Sequence, residues 1–329
     1  MTTPLGTNVV TSIVNRFLMP EIVDNIYNSN PVWFRLNRAN KKLVRGGNHI
    51  EVPLMTSRFT NGGPYQGLDV LDVSPNDTVR TAAWSWKQHY VPVSFDGLTL
   101  LKTDSPDAIA NIIQFTMDQA EMEMAENLAT GLWGDGTGTL TSVKDIDGLA
   151  AAVDDATNVS TYGGLSRSTA PYSTIWKSFY DGANTTLTLN VLQAAFGTTQ
   201  VGGRAPTLIV SRQDQYNRFW NLNQVMQTMP TQPGGRDEVL AQAGFHNQLF
   251  NGVPWVVDSH VPLGSGSNSR IYMLNEDFIY WVVNPRADFY MEPFQTPIQQ
   301  DALAAKLLWA GNLVVTNCKR QGVLASITA

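Results

Sequence analysis

Residues able to do chemistry are few in this chain and widely spaced. Four histidines, His49, His89, His246 and His260, stand far apart, and none belongs to an HExxH-type pair, so each reads as structural or solvent-facing. Gly134-x-Gly136-x-Gly138 has the spacing of a dinucleotide loop. It follows a helical pattern instead of a strand and opens no helix, which makes it a flexible helix exit. No serine sits in a GxSxG elbow, and Ser265 and Ser267 lie in a glycine-rich loop. Asp145 and Asp147 lack the spacing of a calcium loop. Acids on the longest helical pattern, Asp118, Glu121, Glu123 and Glu126, spread around its polar faces and do not converge as an acid/base pair. Trp84 and Trp86 share one strand face and could stack on bases, but a packed aromatic ladder, within or between subunits, is the commoner use of that spacing. Cys318 is the single cysteine, which excludes intrachain disulfides and multi-cysteine metal sites; it reads as a small buried residue in a strand. These residues call for no catalysis, no cofactor and no metal. A hydrolase using an acid pair brought together from distant positions is the one enzymatic alternative.

Composition points to contact with other protein. Of 329 residues, 43% are hydrophobic and only 15% charged, against about 25% charged in an average soluble domain. Much of the surface is therefore uncharged. A net charge of −6 argues against gripping nucleic acid along the whole length. One basic concentration departs from this background: Arg35, Arg38, Lys42 and Arg45 line one face of a helix predicted from Pro31, opposite Val32, Leu36, Ala39 and Leu43, before Gly46-Gly47 stops it. Its natural partners are nucleic acid or the acidic face of another subunit's long helix. No run of about 18 apolar residues exists to span a bilayer, and the start MTTPLGTNVVTSIVNRF lacks a signal-peptide pattern, so a cytosol-like compartment and an uncut start at Met1 are expected.

The elements that would position these residues follow in a definite order. Two strand-like runs, 48–59 and 77–95, flank turn chemistry that includes Asn61-Gly62-Gly63-Pro64, Tyr65 and Ser74-Pro75-Asn76-Asp77, predicting a long hairpin with an extended tip. A tip of that length means function or disorder. Asp104-Ser105-Pro106-Asp107 then caps a helix whose stripe runs through Ile109, Ile113, Met117, Ala120, Met124, Leu128 and Leu132, about 40 Å long at 1.5 Å per residue. Asp118, Glu121 and Glu126 are left to face solvent or a neighbour. An alternating pattern follows, with Asn190 capping a short helix, a strand at 206–210, Ser211 capping a helix that carries Tyr216, Phe219, Trp220 and Met226, and strands at 254–257 and 270–274. From Phe278 the pattern is mostly β.

This order resembles the major capsid protein of tailed double-stranded DNA bacteriophages, the Hong Kong ninety-seven fold family. The resemblance rests on the helix ending in LATGLWGDGTG with Asp147-Gly148-Leu149 after it, on APTLIVSRQDQYNRF, on FNGVPWVVDSHVP leading to RIYMLNEDF, and on the closing AGNLVVTNCKRQGVLASI. It implies an α+β fold with an N-terminal arm at 1–46, an extended loop at 47–96, a peripheral domain at 97–181 with its spine helix at 106–132, an axial domain at 182–285, and C-terminal strands at 286–329 that return to the peripheral domain. It further implies a structural role: hexamers and pentamers closing an icosahedral head around double-stranded DNA, without sequence-specific binding and without membrane, in a virion assembled in the host cytoplasm. Arg35, Arg38, Lys42, Arg45, Asn61, Gly62, Gly63, Tyr65, Trp84, Trp86, Asp118, Glu121 and Glu126 are the expected subunit-interface residues. Portal and decoration proteins are implied partners. Relatives that carry a cleaved scaffolding segment begin with a large helical region, whereas this chain reaches its arm directly, which implies a separate scaffolding protein or none. No lysine occurs between Gly47 and Trp86, so the covalent loop crosslink of some relatives is not expected. An encapsulin-like compartment is the alternative with the same fold.

Overall fold

The structure, a computed structural model, describes residues 30–98, 106–136, 144–224, 248–264, 266, 268–296 and 301–328, with side chains of the long helix described from Ile113 onward. The arm before Asn30, the cap Asp104-Ser105, the side chain of Ile109, and Gly138, Met226, His246, Ser265 and Ser267 lie outside these residues.

One sequence run serves two sheets. Val79–Ser85 (β3) pairs antiparallel with His49–Met55 (β2), in register from His49↔Ser85 to Met55↔Val79. After Trp86, Lys87–Asp96 (β4) pairs antiparallel with Ala302–Val315 (β15), from Lys87↔Gly311 to Asp96↔Ala302. The single strand expected from 77 to 95 is thus two, and the Trp86 indole N–H, donating to the Gly47 carbonyl at 2.9 Å, fixes the break.

In the first sheet, Lys41–Leu43 (β1) runs parallel to Ile279–Val283 (β13), which pairs with β15; Tyr290–Met291 (β14) and β4 also pair with β15. The helix expected to reach Arg45 stops early. Pro31–Ala39 (α1) buries Val32 and Leu36, and then the Asn40 carboxamide donates to the carbonyls of Glu276 and Ile279 while the Asn40 main-chain carbonyl accepts from the Trp281 backbone N–H. That set of bonds draws the chain into β1, and Leu43, expected on the buried face, is 60% exposed.

The long helix forms as its stripe predicts, over Pro106–Leu132 (α2). It packs on β4 and β15, with Ala120, Met124, Leu128 and Leu132 buried and Ile113 and Met117 half-buried. Past its end, Leu149–Ala152 (α3), the hairpin Thr161–Tyr162 (β5) with Leu165–Ser166 (β6), and Tyr172–Ile175 (α4) complete this half of the core.

The second sheet has the order β10-β11-β9-β12-β16-β7 with β8 also on β16, where β7 is Phe179–Asp181, β8 Thr185–Thr186, β9 Leu208–Ser211, β10 Gln248–Phe250, β11 Val253–Val257, β12 Ser269–Leu274 and β16 Gly322–Thr328. Leu189–Thr199 (α5) and Gln213–Gln224 (α6) cover it through Phe196 and Phe219, the latter stacked on Trp255 at 4.5 Å. Two expected caps are corrected. Thr188, not Asn190, accepts from the Val191 N–H to cap α5. Ser211 ends β9, its hydroxyl accepting from the Trp255 indole and donating to the Arg212 carbonyl, so it does not cap α6.

The C-terminal strands do not both return to one place: β15 sits in the first sheet under α2, and β16 lies between β12 and β7 in the second. They clamp the two sheets together through the 3-10 turn Cys318–Arg320. Cys318 therefore lies in a turn instead of a strand. It is buried, and burial pushes its thiol up to about 11, which leaves it inert.

The two faces of α2 predict different responses to mutation. Leu128 is fully buried, so Leu128→Ala should cost the unassembled subunit about 2–5 kcal/mol. Exposed Glu121, changed to Ala, should alter stability by less than about 0.5 kcal/mol. Denaturant unfolding of the two variants checks the difference, and equal effects would contradict this packing.

Candidate functional site

The candidate site is the set of surfaces the fold offers to other molecules, and the β2–β3 hairpin carries eight of the exposed large hydrophobic side chains among the described residues. Its root is fixed at home. Trp84 is 2% exposed and meets Tyr162 edge-on at 5.6 Å, and the Ala83 N–H donates to the Gly163 carbonyl at 3.0 Å. Gly163, at φ +56, is required there: a Cβ would come within 2.8 Å of the Trp84 ring. Trp84, expected at an interface, is thus corrected to an internal anchor, and half-buried Trp86 serves the bend.

From that root, the seven-residue ladder carries the chain about 23 Å outward. The tip is held by its own polar groups: Thr56 N–H donates to Thr78, Asn61 Nδ2 to the Ser74 carbonyl at 2.9 Å, and Asn76 Nδ2 to Asn61 Oδ1 at 2.8 Å. Asn61 therefore works inside the loop. Gly62, Gly63 and Tyr65 lie exposed beyond it. What the tip presents is apolar: Met55, Phe59, Tyr65, Leu68, Val70, Leu71, Val73 and Val79 are each at least half exposed. The turn residues that dominate the sequence concealed this surface.

The basic group is broken up. Arg35 pairs in fork geometry with Glu276, whose second oxygen also accepts from Thr207, and Lys41 meets Asp288 at 2.6 Å. Lys42 lies 3.3 Å above the Tyr280 ring. Arg38 and Arg45 are exposed and, among the described residues, face no carboxylate. The expected single face of four cations is corrected to two outward arginines, because only the first turns of the segment are helical.

The acids divide in the same way. Asp118 and Glu121 point outward. Glu126 turns inward, against expectation, accepting from Asn30 at 2.9 Å and meeting His260 Nε2 at 2.5 Å. His260 is held from the other side by the buried Asp258, 3.2 Å from Nδ1. The Asp258 hydrogen bond, reinforced by Glu126 and opposed by burial, raises His260 from 6.5 to about 9. This cluster pins the C-terminal third of α2 to the segment after β11. Glu126 and His260 stand 134 positions apart, so no spacing could have revealed them.

At the exit of α2, Asp147 meets Lys87 at 3.6 Å and accepts from the Asn312 carboxamide at 2.8 Å, while Asn312 also donates to the Ser85 carbonyl. Gly136 at φ +87 admits the Asp147 carboxylate, since a Cβ there would meet it at 2.6 Å. The glycines after α2 thus serve a structural junction. His89 approaches Asp145 at 3.3 Å and, chiefly through its hydrogen bond, holds that carboxyl below its usual range. No group of three or more metal-ligating side chains occurs among the described residues, and no described helix is long and apolar enough to cross a membrane.

No protein-family model and no curated protein sequence matches the chain. Solved structures do, over nearly its whole length. The capsid subunit of cyanophage A-1(L) is 16% identical at a TM-score of 0.66, covering 98% of this chain and 100% of its own. The holo-SrpI encapsulin of Synechococcus elongatus is 13% identical at 0.62, covering 99% and 97%. The capsid of a native GTA particle is 10% identical at 0.62, covering 98% and 99%. The chain has the α+β fold of these shell proteins, the Hong Kong ninety-seven fold, as its order of elements implied.

The His260 cluster carries a pH signature. Its folded value lies above the ordinary 6.5, so its stabilisation is complete below about 6.5 and is lost as pH rises through about 9. Thermal unfolding of unassembled subunits should show wild type losing its advantage over His260→Gln between those limits. A difference that stays constant across the window would contradict the pinning role.

Proposed function

We propose that this chain is the major capsid subunit of a tailed phage, self-assembling as hexamers and pentamers into an icosahedral head around double-stranded DNA. The observation that carries the reading is the hairpin tip: at least eight large apolar side chains displayed about 23 Å from the body of the subunit. A monomer gains nothing from such a surface, whereas a tiling subunit buries it on its neighbour. The full-length likeness to capsid subunits supports the same reading.

On this reading residues 1–46 form the arm, the loop spans 47–85, α2 is the spine of a peripheral domain, and the second sheet is the core of an axial domain. Asp118, Glu121, Arg38 and Arg45 remain candidates for contacts between subunits. The chain works without catalysis or cofactor, with a separate scaffolding protein, a portal and decoration proteins as partners, in a virion assembled in the host cytoplasm. Net −6 gives the shell wall no general attraction for phosphate, which suits DNA held by confinement. The encapsulin likeness favours a second reading, a compartment that encloses protein cargo. Genome content of particles purified from the native source separates the two.

Deleting 61–75 tests the loop directly. The deletion removes no core residue, so sedimentation should show a folded, soluble subunit that no longer forms the large particles of the wild type. Normal particles from the deletion would sink the proposal that the loop drives assembly.

A further inference from the structure

One surface gathers cations in a chain whose net charge is −6. It lies where the turn Cys318–Arg320 links the two sheets, against the tight turn 201–204 in which Val201 and Arg204 form an antiparallel bridge. Gly202 and Gly203 close that turn at φ +62 and +76, a conformation that favours glycine, and both are exposed. Arg320 Nη1 donates to the Val201 carbonyl at 2.6 Å, which fixes the arginine on the turn.

Arg320 and Arg204 then meet on one ring. Their guanidinium carbons stand 5.0 and 5.9 Å from the centroid of Phe278, the half-buried residue that leads into β13. Lys319 is exposed next to Arg320. Cations held this close repel one another, and the described residues pair them with one carboxylate, Asp277, 3.6 Å from Arg204 Nη1. Both partners of that pair are more than half exposed, so it offsets little of the repulsion. The Arg320 Nε is buried and has no acceptor among the described residues. Other cations of the chain are answered at home: Arg35 forks on Glu276, and the buried Arg167 donates to the carbonyls of Ala151, Ala152, Val159 and Trp176. Here the deficit of negative charge is left open to solvent.

We propose that Arg204, Lys319 and Arg320 form an oxyanion site that takes a phosphate group. A guanidinium offers a planar fork of N–H donors that matches phosphate oxygens, and Lys319 adds a point charge. The exposed Gly202-Gly203 turn carries no side chain to block the approach. Phosphate supplies at once the missing charge and acceptors for N–H groups that the subunit leaves unpaired. The site goes beyond the shell reading and does not depend on it. Its phosphate comes from a nucleic-acid backbone or from the free ion, which present the same oxygens.

Phosphorus-31 relaxation of inorganic phosphate, titrated into the unassembled full-length chain at constant ionic strength set by chloride, tests it. The wild type should enhance relaxation saturably. Arg204→Gln with Lys319→Gln changes two exposed side chains and should weaken binding by about tenfold or more. Arg286→Gln with Lys306→Gln removes the same charge from another exposed place and should leave binding unchanged. A short DNA duplex separates the sources: displacement of the phosphate identifies the nucleic-acid backbone, and phosphate retained against the duplex identifies the free ion. Absence of saturable enhancement would overturn the proposal, as would wild-type binding by the Arg204 and Lys319 variant. Equal loss in the two paired variants would also overturn it, by reducing the effect to a general attraction for anions. The shell reading fails separately, through a wild-type chain that never forms particles.

Discussion

Everything in this molecule depends on the ten-residue ladder between β4 and β15. It holds one end of the run 79–96 in the core, under α2, and so lets the other end project as β3. Each part constrains the next. The spine helix has a floor because Leu307 and Trp309 face inward from β15, and the hairpin has a fixed direction because Trp84 and Gly163 lock its root on β5 and β6. Without that lock, an arm bearing eight exposed apolar side chains would be a hazard for nonspecific association.

The second dependence is the chain end. β15 and β16 are separated by a single turn, yet they belong to different sheets. Residues 302–328 therefore act as a clamp, and the Glu126–His260–Asp258 cluster adds a polar tie between α2 and the second sheet's connections. On the proposed reading, a shell subunit must hold its parts in one relation if many copies are to tile. An apolar clamp plus a charged tie meets that need without enlarging the core.

The sequence made the long periodic elements legible. The stripe from Ala120 to Leu132 and the strands near Val210, Trp255 and Tyr272 obey a local period, so their existence follows without knowledge of neighbours. Local signals failed where a distant residue decides the outcome. The helix after Pro31 has good periodicity through Leu43, but carbonyls at 276 and 279 capture Asn40 and end it. The acids of α2 look alike in sequence, and only His260 singles out Glu126. At the candidate site, glycine, proline and asparagine announced an extended tip, while its LDVLDV surface became meaningful only once the hairpin left it nothing to pack on. Trp84 and Trp86 share a strand-like spacing that the bend between β3 and β4 undoes.

The central claim is that this chain works by laying its hairpin on another copy of itself. A cryo-electron microscopy map of the particles formed by the full-length chain tests it most directly. The account predicts closed shells of hexamers and pentamers, with density for residues 56–78 continuous from one subunit and seated on the next. Density for that segment folded back on its own subunit, or a preparation that remains a single 36.2 kDa species, would contradict it.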